Sequence, residues 1–189
     1  METDEVLYHC SPIGGLTVLE PGVTKYFGKP RQVCLTASLP MALLYGVKHF
    51  EYTYGYTGAG QLYYEEYFPN ALEEIYCGKQ AFLYRCRRRA DMSATAIPNE
   101  FVTADPVPVL KEILIPDVYE ALLEQERTGA LRVVRWAERS DASRAWTVRD
   151  EKEAIIEHGL LREDSAFARY MREKYTESWE LARQQEKET

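Results

Sequence analysis

The residues best suited to ligate a metal or attack an electrophile are four cysteines and three histidines. The cysteines stand at 10, 34, 77 and 86, form no Cys-x-x-Cys pair, and are not clustered with His9, His49 and His158. A structural zinc needs ligands at close, regular spacing. His9 and Cys10 are adjacent, which is poor geometry for joint ligation, so no metal and mostly buried free thiols are expected. Nothing near Cys34 in the sequence marks a base that would activate it as a nucleophile. Tyrosine is the other conspicuous type, with six between positions 52 and 67. Tyr52, Tyr54 and Tyr56 alternate, which puts them on one strand face. That face is either a platform for a sugar or base, or a strand surface packed on its neighbours; packing is the expectation. Arg85-Cys86-Arg87-Arg88-Arg89 either grips a phosphate or forms a solvated strand end; in an acidic chain the solvated end is expected.

These side chains need elements to position them. Val6 to Cys10 is a short apolar run ending at Ser-Pro-Ile-Gly-Gly, hence a strand and a turn. Residues 32–37 read as a second strand after a loop rich in Gly and Pro. Ser38 then stands at a helix N-cap, with Pro40 in the first turn where its missing N–H costs nothing. Two strands joined by a glycine turn are expected over 52–67, and a short helix over 71–76, capped by Asn70 and stopped by Gly78. Residues 81–86, 100–104 and 109–115 read as strands. Beyond Pro116 the pattern turns helical: Asp117 caps one helix, Thr147 caps another with Ala154, Ile155 and Ile156 inward, and a long last helix starts near Asp164. Its stripe is Phe167, Tyr170, Met171, Tyr175, Trp179 and Ala182. The segment 131–136 fits either a helical turn or a strand. The fold class is α+β: a mixed sheet in 1–116, then a helical segment in 117–189.

The bulk numbers set bounds. A chain of 189 residues, 46% hydrophobic and 12% aromatic, is long enough for one well-packed domain with a helical appendage and is not a disordered polymer. A net charge of -7 argues against general nucleic-acid binding. No apolar run is long enough to span a membrane. The acidic Met1-Glu2-Thr3-Asp4-Glu5 is unlike a secretory leader, and a cytoplasmic protein is expected.

Three segments together resemble the ADP-ribosyltransferase fold, in its diphtheria-toxin and poly(ADP-ribose) polymerase branch. Leu7-Tyr8-His9-Cys10-Ser11 looks like the first-strand motif of His, Gly, then Ser or Thr. Val33-Cys34-Leu35-Thr36-Ala37 and the helix carrying Tyr45 resemble the strand and helix that each bear a tyrosine, 11 residues apart; those positions are Cys34 and Tyr45 here. Pro98-Asn99-Glu100-Phe101-Val102, with the apolar strand downstream, resembles the Asn-Glu-aromatic-Val strand. The likeness covers about residues 5–116, on a split, mixed or antiparallel sheet with short helices.

The resemblance implies NAD as a substrate, no metal, and a reaction through an oxocarbenium-like ribose cation akin to that of glycoside hydrolysis. It implies that Glu100 stabilises this cation and that His9 bonds a ribose hydroxyl. Tyr45 stacks on the nicotinamide, and Cys10 and Cys34 occupy nicotinamide-contacting positions. The loop over 20–31 would lie over the dinucleotide, with Lys25, Lys29 and Arg31 supplying positive charge and Tyr26 and Phe27 covering the adenine. Cys10 stands where the family has glycine, Cys34 where it has tyrosine, and Ala42 where serine is frequent. Three nicotinamide contacts are thus altered while the ribose contacts remain. The readings are NAD-dependent ADP-ribosyl transfer or NAD hydrolysis with an unknown acceptor, or a noncatalytic ADP-ribose or nucleotide-binding module. A protein-interaction surface on the C-terminal helices is a third. RNA 2′-phosphotransfer, on the same broad fold, lacks the basic set it needs.

Overall fold

The computed structural model describes residues 5–22, 31–51 and 53–188. Its elements are β1 (Val6–Ser11), β2 (Val18–Leu19), β3 (Val33–Thr36), α1 (Leu39–Leu44), β4 (Tyr54–Tyr56), β5 (Leu62–Glu65), α2 (Ala71–Tyr76), β6 (Ala81–Arg87), β7 (Ser93–Ala94) and β8 (Glu100–Thr103). Then follow β9 (Val107–Ile115), α3 (Val118–Arg127), β10 (Leu131–Val134), α4 (Asp141–Glu157), α5 (Ala166–Lys174) and α6 (Thr176–Glu188). The class is α+β. The chain divides into two compact units, one of Met1–Tyr64 with Leu72–Val133, the other of Glu65–Ala71 with Val134–Thr189. This differs from the expected division after residue 116: α3 and most of β10 belong with the sheet.

In the first unit a seven-stranded sheet runs β2-β9-β6-β1-β3-β8-β7. Every neighbouring pair is antiparallel, so the sheet is not mixed. Among the described residues β1 pairs with β6 over its whole length but with β3 only at Tyr8↔Thr36, so the ladder gives way beyond that pair. A smaller sheet runs β10-β5-β4.

Strand alternation sorts the apolar side chains into two cores. Cys10 and Leu83 face one side, with Met41, Leu43 and Leu44 of α1 and Val118 and Leu122 of α3. Leu7, Leu35, Tyr84 and Phe101 face the other. The α1 start is as the sequence implies: Ser38 Oγ accepts from the Met41 N–H, and Pro40 lies in the first turn. Asn70 does not cap α2 from an extended conformation; its φ is +59°, left-handed, which asparagine tolerates better than most residues.

The second unit contains α4, α5 and α6. Here the sequence reading needs two corrections. Thr147 is not an N-cap: α4 begins at Asp141, Ser140 Oγ accepts from the Ser143 N–H, and Thr147 is buried in mid-helix. Of the three residues assigned inward, Ile155 is fully buried while Ile156 is exposed. The long final helix is two helices, broken at Tyr175 (φ −115°, ψ 51°). The break turns Tyr175 inward, where its ring meets Phe68 edge-on. Buried Arg139 organises this unit. It pairs with Glu65 at 2.9 Å, donates to Glu66 O at 2.9 Å and to Thr147 Oγ1 at 2.7 Å, and lies over the rings of Tyr67 and Trp136. No helix among the described residues is long and apolar enough to cross a membrane.

Candidate functional site

Glu100 opens β8 directly after Asn99, whose φ of +64° bends the chain into the strand. The bend is held by the Asn99 carbonyl, which accepts from the Ala37 N–H at 2.9 Å, and by the Glu100 N–H, which donates to Ile97 O at 3.2 Å. Thr95 Oγ1 donates to Glu100 Oε2 at 2.6 Å, fixing the carboxylate. Register places Tyr8, Thr36 and Glu100 opposite one another on three consecutive strands, hence on one face.

Two tyrosines from separate elements meet each other, and a third reaches the turn that precedes Glu100. Tyr45, the last residue of the α1 turn, is exposed, and its hydroxyl lies 2.6 Å from that of Tyr54 on β4. Their rings are 5.9 Å apart and nearly perpendicular. The Tyr56 hydroxyl donates to Pro98 O at 2.9 Å, in the turn that precedes Glu100. Burial raises the Tyr54 pKa; the bond to Tyr45 opposes this and the Glu100 charge adds to it. Burial likewise raises that of Tyr56, with Glu100 again contributing.

His9 is placed differently. It is the next residue after Tyr8, so alternation turns it to the other face, where its cross-strand neighbour is Tyr84. Its ring reaches the β1–β3 seam, where Nδ1 donates to Cys34 O at 3.0 Å. A carbonyl only accepts, so Nδ1 carries the proton and Nε2 keeps its lone pair. Burial lowers the His9 pKa, partly offset by that bond, which keeps the ring neutral near pH 7. The structure therefore bonds Tyr45 to Tyr54, brings Tyr56 to the turn before Glu100, and sets His9 in the β1–β3 seam rather than on the Glu100 face.

The remaining expected site residues fall as follows. The Cys10 side chain is core: 4% exposed, its thiol pushed up to about 12 by burial. A Cβ added to Gly46 would come within 2.7 Å of its Sγ, so the sulfur fills the space that this glycine leaves. Cys34 is half-buried, with Gln32 Nε2 at 3.7 Å from Sγ. Arg31 is exposed just before β3. Lys25, with Tyr26, Phe27 and Lys29, lies outside the described residues, and so does Tyr52. Two residues of the arginine run are engaged within the protein: Arg88 pairs with Glu5 and covers the Phe101 ring, and Arg89 bonds both oxygens of Asp91. Among the described residues no cluster of His, Cys, Asp and Glu is placed to hold a metal ion.

Tyr54, Tyr56 and Thr95 join this site without having been singled out for it. The alternation of the tyrosines was visible, but it is equally the pattern of packing. Nothing in the sequence marks Thr95 as the partner of Glu100. Comparison with protein-family models, curated proteins and solved structures finds no match for this chain.

Proposed function

We propose that the first unit is an ADP-ribosyltransferase-like core that cleaves the bond between nicotinamide and ribose in NAD. The observation that carries this reading is the strand order β1-β3-β8. Three motifs far apart in the chain lie on consecutive strands, with Tyr45 at the end of the helix that follows β3. In the reaction the C1′–N bond breaks, nicotinamide leaves with the bonding pair, and the ribose gains positive charge. The Glu100 carboxylate, already oriented by Thr95, opposes that charge and needs no reorganisation as it develops. In this reading the ribose contact falls to Glu100, since alternation turns His9 off that face. Tyr45 offers its exposed ring to the nicotinamide. The acceptor atom then bonds to C1′ and gives up its proton. The acceptor class is a protein side chain, nucleic acid, small molecule or water.

The test is incubation with NAD labelled in the nicotinamide ring, followed for release of free nicotinamide. Glu100→Gln keeps size and hydrogen bonding but removes the charge. Its turnover should fall at least about a hundredfold, the scale of losing one preorganised electrostatic contact, with NAD affinity largely kept. Unchanged turnover would remove Glu100 from the reaction.

A second reading is a module that binds ADP-ribose or another nucleotide without turnover. The buried Cys10 side chain, where the family has glycine, favours it, as does the turn of His9 away from the Glu100 face. Saturable binding with no nicotinamide release by the wild-type protein would establish it.

A further inference from the structure

The turn that leads into Glu100 is tied both to itself and to its surroundings. The Thr95 N–H donates to Glu100 O at 3.1 Å and the Glu100 N–H to Ile97 O at 3.2 Å, so the segment closes on itself. The Ala37 N–H anchors it to the end of β3 through Asn99 O. The Tyr56 hydroxyl anchors it to the small sheet through Pro98 O at 2.9 Å. That hydroxyl has one proton and a second neighbour, Met41 Sδ, at 3.2 Å. A thioether is the weaker acceptor, so the proton goes to the carbonyl. Met41 Sδ also accepts from Thr36 Oγ1 at 3.4 Å, and Thr36 stands opposite Glu100 across β3–β8. Tyr56 is itself held from behind, paired with buried Leu62 across β4–β5.

Between Pro98 and Glu100 lies Asn99, at φ +64°. A residue other than glycine in the left-handed region is strained, and stays there only where its surroundings hold it. Relaxing Asn99 would rotate the chain that enters β8, and Glu100 is the next residue. We infer that Tyr56 is a positioning residue: its hydroxyl holds the Pro98–Asn99 turn, and through that turn the backbone that aims the Glu100 carboxylate. The catalytic consequence rests on the NAD reading above, whereas the hold on the turn does not. Tyr56 acts through Glu100 and not on the substrate, so its loss lowers the rate of bond breaking rather than the affinity for NAD.

Tyr56→Phe removes the hydroxyl and keeps the ring; Tyr63→Phe, on the neighbouring strand β5, is the control. Amide hydrogen exchange on the full-length protein reads the turn without any substrate. In Tyr56→Phe the Ala37 and Glu100 amides should exchange about fivefold faster, on the scale of one lost hydrogen bond, beyond any change in the β1–β6 ladder, which reports global stability. An equal change in turn and ladder overturns the inference, since it reports stability alone. Wild-type exchange at Ala37 and Glu100, or the same acceleration in Tyr63→Phe, overturns it too. With nicotinamide release as the readout, Tyr56→Phe should lower kcat about tenfold and leave KM for NAD within about twofold. An unchanged kcat, or an effect on KM alone, overturns the positioning role. Wild-type protein that releases no nicotinamide overturns the NAD reading instead, and the exchange rates still decide whether Tyr56 holds the turn.

Discussion

His49 is held as a neutral imidazole. Its Nδ1 accepts from the Glu51 N–H at 3.3 Å, so the proton sits on Nε2, which lies 2.9 Å from the Tyr76 hydroxyl. That hydroxyl donates onward to Leu44 O at 3.1 Å. Burial depresses the His49 pKa to about 4, partly opposed by the Leu44 carbonyl. The unfolded chain takes up this proton near pH 6.5 and the folded one only near pH 4, so the unfolded state binds more protons in between. Stability should therefore be full above pH 6.5 and fall as the pH drops toward 4; the depressed pKa of His9 acts in the same direction. Urea midpoints at pH 7 and pH 4.5 test this, and His49→Gln should flatten the decline. A slope unchanged in that variant would locate the acid sensitivity elsewhere. At this scale half of the candidate site was legible: Glu100 and Tyr45 were singled out by the short motifs that carry the family resemblance. Tyr54 could not be, because alternating tyrosines look the same whether they pack or line a site, and only the hydroxyl contact with Tyr45 on another element decides.

Asp117 shows how one residue can join elements. Its Oδ1 accepts from the Tyr119 and Glu120 N–H groups at the start of α3, and its Oδ2 from the Gly78 N–H at 2.9 Å, in the turn after α2. Asp117→Ala should lower unfolding stability by about 1–2 kcal/mol, the usual cost of a lost N-cap, and Asp117→Asn by less, since Oδ1 survives. Thermal melts of the two variants test the order; equal losses would mean that charge rather than capping matters. This cap could be read from sequence because an acidic residue after Pro116 precedes an apolar pattern. The α4 start could not. Residues 141–146 carry no apolar stripe, so Thr147 drew the cap that belongs to Ser140. The α5–α6 break was hidden for a related reason: Tyr175 is neither Gly nor Pro, and its aromatic spacing with Trp179 continues as if the helix did. Burial of Tyr175 against Phe68, a tertiary contact, selects the break.

At the scale of the whole molecule, what matters is which stretches fold together. Sequence placed a boundary after Pro116 because strand patterns end there and helical ones begin. A change of pattern marks a change of element, not the edge of a core. Val118 and Leu122 of α3 and Leu131 of β10 are almost fully buried in the same cluster as Met41, Leu43 and Leu44 of α1, the helix that ends at Tyr45. β10 is also an outer strand of the sheet in which β4 carries Tyr54. A chain ending after Pro116 would lose these side chains from a shared core, at about 2–5 kcal/mol for each large apolar residue removed, against a total stability of roughly 5–15 kcal/mol. Such a chain should show no cooperative urea transition, although every motif residue from His9 to Glu100 is present. A cooperative transition at the wild-type midpoint would mean that α3 and β10 are dispensable to the sheet, and that the shared core is not what fixes Tyr45 against Tyr54.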